Sequence, residues 1–239
     1  MTPPAPEKGP FVHEDLASYD ADLNRGISLS GEGKDYFAQG RLALLARRLE
    51  SGGAFPPEAI LDYGCGGGDT TVLLSKTWPR ARIVGVDASP ALISVASRSK
   101  GAARCEFHML NAVPATPRFD LVYCNGVFHH IPVAERAAAL AWICSRLNPG
   151  GMLALWENNS WNLGARWVMS RIPFDRDAVM LSPASASRML HRAGFTLSSI
   201  DFAFIFPKFL RWARPMERWV CKLPLGAQYQ ILCRRRSRF

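Results

Sequence analysis

Ala59-Ile60-Leu61-Asp62-Tyr63-Gly64-Cys65-Gly66-Gly67-Gly68-Asp69, followed later by Arg82-Ile83-Val84-Gly85-Val86-Asp87, is the stretch on which the fold turns. The first run is apolar, short and stopped by glycines, as a buried strand would be. Glycines at 64, 66 and 68 let the backbone turn sharply and approach a ligand without side chains in the way. A helix beginning near Asp69 would then offer unpaired N–H groups and the positive end of its dipole. About 20 residues on, Asp87 ends a second apolar run, where a carboxylate can accept both hydroxyls of a ribose. Glycine loop and strand-end acid together predict a nucleoside-bearing cofactor. A nicotinamide fingerprint would need G-x-G-x-x-G. Counted from Gly64 the sixth place holds Asp69, and from Gly66 it holds Thr71, so the dinucleotide reading is disfavoured.

Outward from this stretch, short apolar runs alternate with helical patterns, the signature of repeated βαβ units. Further strands are expected at 105–110, 119–124 and 152–156, and two more near 195–204 and 227–234. Helices are expected at about 36–51, 69–77, 90–99, 133–147 and 183–193. Ser89-Pro90 supplies an N-cap and a first-turn proline for the third of these. Asn148-Pro149-Gly150-Gly151 reads as the turn that stops the fourth. The fold class is therefore α/β: a doubly wound, mostly parallel seven-stranded sheet with helices on both faces. No internal repeat is visible.

The 239 residues suit one large domain, and 48% hydrophobic with 21% charged residues is the balance of an ordinary globular protein. Residues 1–10, rich in proline, read as a disordered leader and 11–239 as one domain, with a helical segment over about 11–57. No stretch reaches the roughly 18 uninterrupted apolar residues of a membrane span. The six cysteines form no CxxC pair and interleave with no histidines, so neither a metal site nor a disulfide framework is expected. These features together place the protein in the cytoplasm. The net charge of +9 is unevenly spread: residues 160–239 carry +10 and residues 1–159 carry −1. Such asymmetry suits an anionic substrate, nucleic acid or a membrane surface, or is a solvated basic face.

The segment Asp62 to Gly68 has the form D-x-G-x-G-x-G, and here the chain resembles the class I S-adenosylmethionine-dependent methyltransferases. The resemblance is to the small-molecule branch that includes the quinone-biosynthesis enzymes, and it spans about residues 36–200. Phe119-Asp120-Leu121-Val122-Tyr123-Cys124-Asn125 is similar to the family's fourth-strand motif, and Phe128-His129-His130-Ile131 to its sequel. Leu147-Asn148-Pro149-Gly150-Gly151 and His191-Arg192-Ala193-Gly194-Phe195 resemble the turns before the fifth and sixth strands. The fold implied is the Rossmann-like one of that family. The cofactor implied is S-adenosylmethionine, leaving as S-adenosylhomocysteine. By the resemblance Gly64 and Gly66 line its methionine part and Asp87 holds the ribose hydroxyls. Asn111-Ala112 stands at the adenine-contacting position, where the family often has aspartate. Asp62, Cys65, Ala88, Cys124 and Asn125 complete the implied cofactor site.

Methyl transfer needs mainly an aligned acceptor, with a base when the acceptor is a hydroxyl. His129 and Glu157 follow the fourth and fifth strands, where open α/β sheets place their sites, and are the candidate catalytic residues. His129 alternatively packs on the cofactor or caps a helix, and Glu157 alternatively orients an amine or anchors its loop. Amino-methylating DNA enzymes resemble one another in an Asn/Asp-Pro-Pro-Tyr tetrad where this chain reads Cys124-Asn125-Gly126-Val127. Cytosine-5 enzymes typically place proline before a nucleophilic cysteine, whereas Cys124 follows Tyr123. No specific DNA binding is therefore expected.

Two segments lie outside these motifs. Residues 160–182 mix Trp161, Trp167, Met169, Phe174 and Met180 with Arg166, Arg171 and Arg176, suiting a lid over an apolar or aromatic acceptor that carries negative charge, or an ordinary packed loop. Within about 205–223, a helical projection of 207–223 puts Phe209, Trp212, Met216, Trp219, Val220 and Leu223 on one face and Lys208, Arg211, Arg214, Arg218 and Lys222 on the other. That pattern suits peripheral contact with an anionic membrane, or a stripe packed on its own domain, with a kink at Pro215. The sequence thus predicts a methyltransferase of a small or lipid-like acceptor, at oxygen, nitrogen or activated carbon. Alternatives are an RNA methyltransferase using the basic part, against which the aromatics read as buried, and a non-catalytic cofactor-binding or membrane-surface protein.

Overall fold

Strand β1 (Ala59–Tyr63) lies in the interior of a seven-stranded sheet, with residues buried on both of its faces. The computed structural model describes residues 31–53, 56–113, 116, 118–171 and 178–236; the expected leader 1–10 and the first part of the helical segment, 11–30, lie outside them. In chain order the elements are α1 (Lys34–Ser51), β1, α2 (Asp69–Thr77), β2 (Arg82–Asp87), α3 (Pro90–Arg98), β3 (Cys105–Met109) and β4 (Phe119–Asn125). There follow α4 (Arg136–Arg146), β5 (Leu147–Asn158), α5 (Leu163–Met169), α6 (Pro183–Arg192), β6 (Phe195–Ala203), α7 (Glu217–Val220) and β7 (Gln228–Arg235). The strand order is β3-β2-β1-β4-β5-β7-β6. The first five strands run parallel, and β7 is antiparallel to both neighbours. The expected mostly parallel, doubly wound sheet is therefore present. Its winding reverses between β1 and β4, which opens a crevice at their carboxyl ends.

Alternation along the strands divides the core in two. Leu61, Tyr63, Val122, Cys124, Leu153 and Leu155 meet Leu140 and Ile143 of α4 and Ala186 and Leu190 of α6. Ile60, Leu121, Tyr123, Ala154 and Trp156 meet Leu42, Leu45 and Leu49 of α1 and Leu74 of α2. Trp156 is fully buried, a burial that stabilises by about 2–3 kcal/mol. The Ser89 hydroxyl caps α3 by accepting the Leu92 N–H, and Ser182 caps α6 by accepting that of Ser185.

Three expectations need adjustment. Strand β5 starts at Leu147, so Asn148 to Gly151 belong to a bulged strand entry rather than a free turn; the Asn148 amide donates to Asp120. Helix α4 starts at Arg136, after a turn in which the Glu135 N–H reaches the Pro132 carbonyl. Residues 207–223 are not one amphipathic helix. They form a 3-10 segment, Lys208–Met216, broken at Leu210, and then the single turn α7. Pro207 precedes the first piece and Pro215 lies in its last turn, where it withholds an N–H from any longer helix.

One buried ion pair pins α1 to the edge of the sheet. Asp201 on β6 has a fully buried side chain and accepts from Arg48 Nε (2.9 Å) and Nη2 (2.5 Å), while Lys222 Nζ lies 2.7 Å away. Burial alone would raise the Asp201 pKa, but the bonds from Arg48 and Lys222 overcome it and hold the carboxyl below its usual value. Asp201→Ala should destabilise the fold by about 2–3 kcal/mol, less than a fully buried pair would lose, because Arg48 is partly solvated. Because the folded pKa is depressed, the pair's contribution is present above the unfolded carboxylate value of ~3.9 and is lost as pH falls through the folded one. Urea unfolding of wild type and variant near neutrality and near pH ~3 should show the difference shrinking in acid.

Candidate cofactor and acceptor site

The loop between β1 and α2 is built on β2. The amides of Gly64 and Cys65 both donate to the Val86 carbonyl, at 2.8 and 2.9 Å. Gly64 has φ +76°, and a Cβ there would lie 2.3 Å from Val127 Cγ2. Gly66 has φ +54° and nothing within 4 Å of the Cβ it lacks, so its bare backbone faces open space. The Gly66 N–H donates to Asp87 Oδ2 (3.0 Å), and the Ser89 N–H to Asp87 Oδ1 (2.9 Å). Two amides thus orient this half-buried carboxylate, and each oxygen keeps acceptor capacity for a ligand.

The other proposed cofactor residues divide by exposure. Ala88, Asn111 and Ala112 are exposed, the last two in a 3-10 turn directly after β3. Asn125, at the end of β4, is partly exposed. Asp62 lies beneath the loop and accepts the Thr71 hydroxyl at 2.7 Å, so it braces α2 against β1. The Cys65 side chain is buried, and burial pushes its thiol pKa far up. The Cys124 thiol is likewise fully buried and pushed well up, and no part of this residue is exposed.

His129 and Glu157, read separately from the sequence, form one buried pair. His129 Nδ1 lies 2.5 Å from Glu157 Oε2, and Glu157 Oε1 accepts the Phe128 N–H at 2.8 Å. Glu157 therefore holds both the ring and the backbone of the loop after β4. The Val179 N–H donates to the His129 carbonyl, and the buried Arg136 donates to the carbonyls of Ile131 and Val179. The expected lid segment 160–182 is thus tied to the histidine it follows in space; residues 172–177 within it, including Phe174 and Arg176, lie outside the described residues.

Known proteins resemble this chain in sequence and in fold. Residues 60–151 match the family described as a methyltransferase domain. The trans-aconitate 2-methyltransferase of Azoarcus sp. (strain BH72) is 33% identical over 115 residues, 48% of this chain and 44% of that protein. That of Escherichia coli (strain K12 / DH10B) is 31% identical over 123 residues, 50% of this chain and 47% of its own length. The match therefore spans less than half of these relatives. Magnesium protoporphyrin IX methyltransferase from Synechocystis PCC 6803, solved with bound SAH, superposes with TM-score 0.59 at 18% identity, covering 88% of this chain and 86% of that one. The putative methyltransferase in complex with the Haloferax volcanii Trm112 activator superposes with TM-score 0.62 at 17% identity, covering 92% and 98%. Residues 60–151 thus resemble a methyltransferase domain, and the sheet has the class I methyltransferase fold.

S-adenosylmethionine is the cofactor of such domains, and the residues present fit it. The open backbone at Gly66, the oriented carboxylate of Asp87 and the exposed Asn111 edge lie around the carboxyl ends of β1, β2 and β3. These are the surfaces that a methionine moiety, a ribose and an adenine each require. Among the described residues no group of His, Cys, Asp and Glu is arranged to hold a metal.

Several contributors were invisible in the sequence. Arg41 of α1 donates to the Tyr123 hydroxyl and to Gln228 Oε1, both at 3.1 Å, and Gln228 Nε2 donates to Asn158 Oδ1. This chain of polar groups crosses the carboxyl side of the parallel sheet, from Tyr123 of β4 through the first residue of the antiparallel β7 to the last residue of β5. Its members are 82 and 187 residues apart in sequence, and no local pattern pairs them. The bond of Arg136 to Val179, 43 residues on, was hidden for the same reason.

Two measurements test the loop. Gly66→Ala should cost about 1 kcal/mol of stability from its left-handed backbone, yet weaken S-adenosylmethionine binding by roughly tenfold or more by filling the cradle. Gly64→Ala should instead unfold the loop, at about 2–4 kcal/mol, because its methyl group overlaps Val127. Thermal melts and calorimetric titration separate the two outcomes. The second test concerns Asp62, whose carboxyl burial pushes up to about 7 despite the Thr71 bond. Since the folded value exceeds the unfolded ~3.9, this contribution to stability is complete below about pH 4 and is lost as pH rises through about 7. Asp62→Asn should therefore gain on wild type between about pH 5 and pH 8, by at most about 4 kcal/mol. A difference constant across that range would contradict the buried, largely neutral carboxyl.

Proposed function

We propose that this protein is an S-adenosylmethionine-dependent methyltransferase of a small acceptor with an apolar or aromatic body and negative charge, using His129 as base. The observation that carries this reading is the buried His129–Glu157 pair at 2.5 Å, whose histidine sits on the loop that packs Val127 against Gly64. When bound, the cofactor supplies an electrophilic methyl group. Asp87 and the Gly66 backbone hold and orient it, and the core behind Cys124 and Phe128 excludes water. With Nδ1 turned to Glu157, Nε2 of His129 is the nitrogen that takes the acceptor's proton as its oxygen, nitrogen or carbon attacks. Glu157 fixes the ring and stabilises the imidazolium that forms. The lid segment supports the acceptor class: Trp161 and Trp167 stand exposed beside exposed Arg166 and Arg171. The relatives' name, trans-aconitate 2-methyltransferase, also points to an anionic acceptor.

An RNA acceptor keeps some support, since the expectation that the basic part buries its aromatics is overturned: Phe209, Trp212 and Trp219 are all exposed. No helix among the described residues is long and apolar enough to cross a membrane. In this reading the enzyme works from the aqueous side, in peripheral contact with a membrane through residues 207–223.

Calorimetric titration should show micromolar S-adenosylmethionine binding that collapses in Asp87→Ala. His129→Gln and Glu157→Gln should retain that binding but slow methyl transfer by about 10²–10⁴, with the acid limb of the pH–rate profile lost in His129→Gln. A folded wild type that binds no S-adenosylmethionine would refute the reading. Unchanged rates in both variants would remove the base and leave alignment alone as the catalytic device.

A further inference from the structure

Two separate segments leave apolar rings and aliphatic chains in solvent, and the structure laces them together. The first follows β5: Trp161, Leu163 and Trp167 are exposed, Leu163 at 75%. The second follows β6: Phe209, Trp212 and Trp219 are 80%, 73% and 65% exposed, and Leu223 and Leu225 are exposed after them. Asn159 Nδ2 donates to the carbonyls of Pro224 and Gly226, and Asn162 Nδ2 to that of Leu225. These amides fasten the start of the first segment to the end of the second. Because β5 and β6 run parallel, both segments rise from the carboxyl end of the sheet, the end that carries the glycine loop and His129. The two segments therefore meet at these ends on the same side of the sheet as a composite rim, and exposed apolar groups gathered on one side mark an interaction site.

The charges on the rim identify its partner. Lys208, Arg211 and Arg218 are exposed in the second segment, Arg166 and Arg171 in the first. The guanidinium of Arg218 lies 4.0 Å over Trp219, and that of Arg171 lies 4.2 Å over Trp167, so cation and ring present themselves together. Among the described residues of both segments the sole acid is Glu217, and it is turned inward to accept the N–H groups of Ile205 and Phe206. The inward side is also satisfied by Arg214, which pairs with Glu32 and lies over the Tyr36 ring. Aromatic and aliphatic groups interleaved with unopposed cations match the boundary between acyl chains and anionic headgroups. A nucleic acid would use the rings and cations but gains little from Leu163, Leu223 and Leu225.

We propose that this composite rim docks the protein on an anionic phospholipid bilayer, with the carboxyl end of the sheet turned toward the lipid. The acceptor then enters the crevice from the bilayer, as an amphiphile whose anionic head meets the arginines. Docking does not require the methyl-transfer reading, whereas this acceptor class rests on it.

The test is co-sedimentation of the full chain with vesicles of phosphatidylcholine alone or mixed equally with phosphatidylglycerol, with tryptophan emission followed in parallel. Binding is expected only to the mixed vesicles, with a blue shift. Trp212→Ala/Trp219→Ala should weaken it by roughly tenfold or more while leaving the melting temperature and S-adenosylmethionine titration unchanged. Lys208→Ala/Arg211→Ala, which removes charge without touching the rings, should abolish the preference for the anionic lipid. No binding, or equal binding to neutral vesicles, would overturn the proposal. So would a concentration-dependent dimer in sedimentation velocity that the tryptophan variant abolishes, since a second copy would then cover the rim. Displacement from vesicles by oligouridylate that itself binds more tightly would assign the surface to RNA. A normal cofactor titration alongside failed docking refutes this inference and leaves the enzymatic one standing.

Discussion

Two amides, those of Gly64 and Cys65, share the carbonyl of Val86, and the geometry of the crevice follows from that sharing. It locks the turn after β1 onto the last residues of β2, and so sets Gly66 N–H beside the carboxylate of Asp87. Gly64 can make this turn because its φ of +76° and its contact with Val127 leave no room for a side chain. Asp62 braces the turn from below through Thr71, which ties the following helix to the same strand. Each restraint is local and modest, about 1 kcal/mol for an ordinary hydrogen bond. Their value lies in convergence, because one loop is held simultaneously by β1, β2 and α2.

The parts of this arrangement that were legible in the sequence are those whose cause is local. Strands β1 and β2 and helix α2 fall where the apolar runs and the glycine punctuation put them, since both faces of a central parallel strand must be apolar. The loop and Asp87 were legible because their spacing is set by the length of one βαβ unit. The polar link from Tyr123 through Arg41 to Gln228 was not, because it joins three elements far apart in the chain. His129 and Glu157 stand between these cases. Their positions at the ends of β4 and β5 could be read, but their pairing follows from the register of those strands, in which Asn125 lies beside Trp156.

Residues 207–223 show a different limit. A helical projection separates an aromatic stripe from a basic one without saying which faces inward. Here neither face as a whole is buried. Two prolines shorten the helix, Ala213 is the buried residue of the 3-10 segment, and Arg214 and Glu217 satisfy groups of the protein beneath it. Ordinary burial of the stripe would have needed a long straight helix laid along its own domain. Proline at 207 and 215 withholds that geometry, and the rings are left outside.

The family match ends at residue 151, just inside β5, and both rim segments lie beyond it. That boundary has a physical reason. The half of the sheet that precedes it must hold one cofactor, whose shape fixes the loop, the strand-end acid and the register of β1, β2 and β4. Nothing comparable constrains the connections after β5 and β6, provided that they close the core and leave the crevice open. Acceptor choice can therefore change there without disturbing the cofactor site. In this chain those connections carry most of the excess positive charge and most of the exposed aromatic surface. The trans-aconitate enzymes likewise align with this chain over only about half of its length.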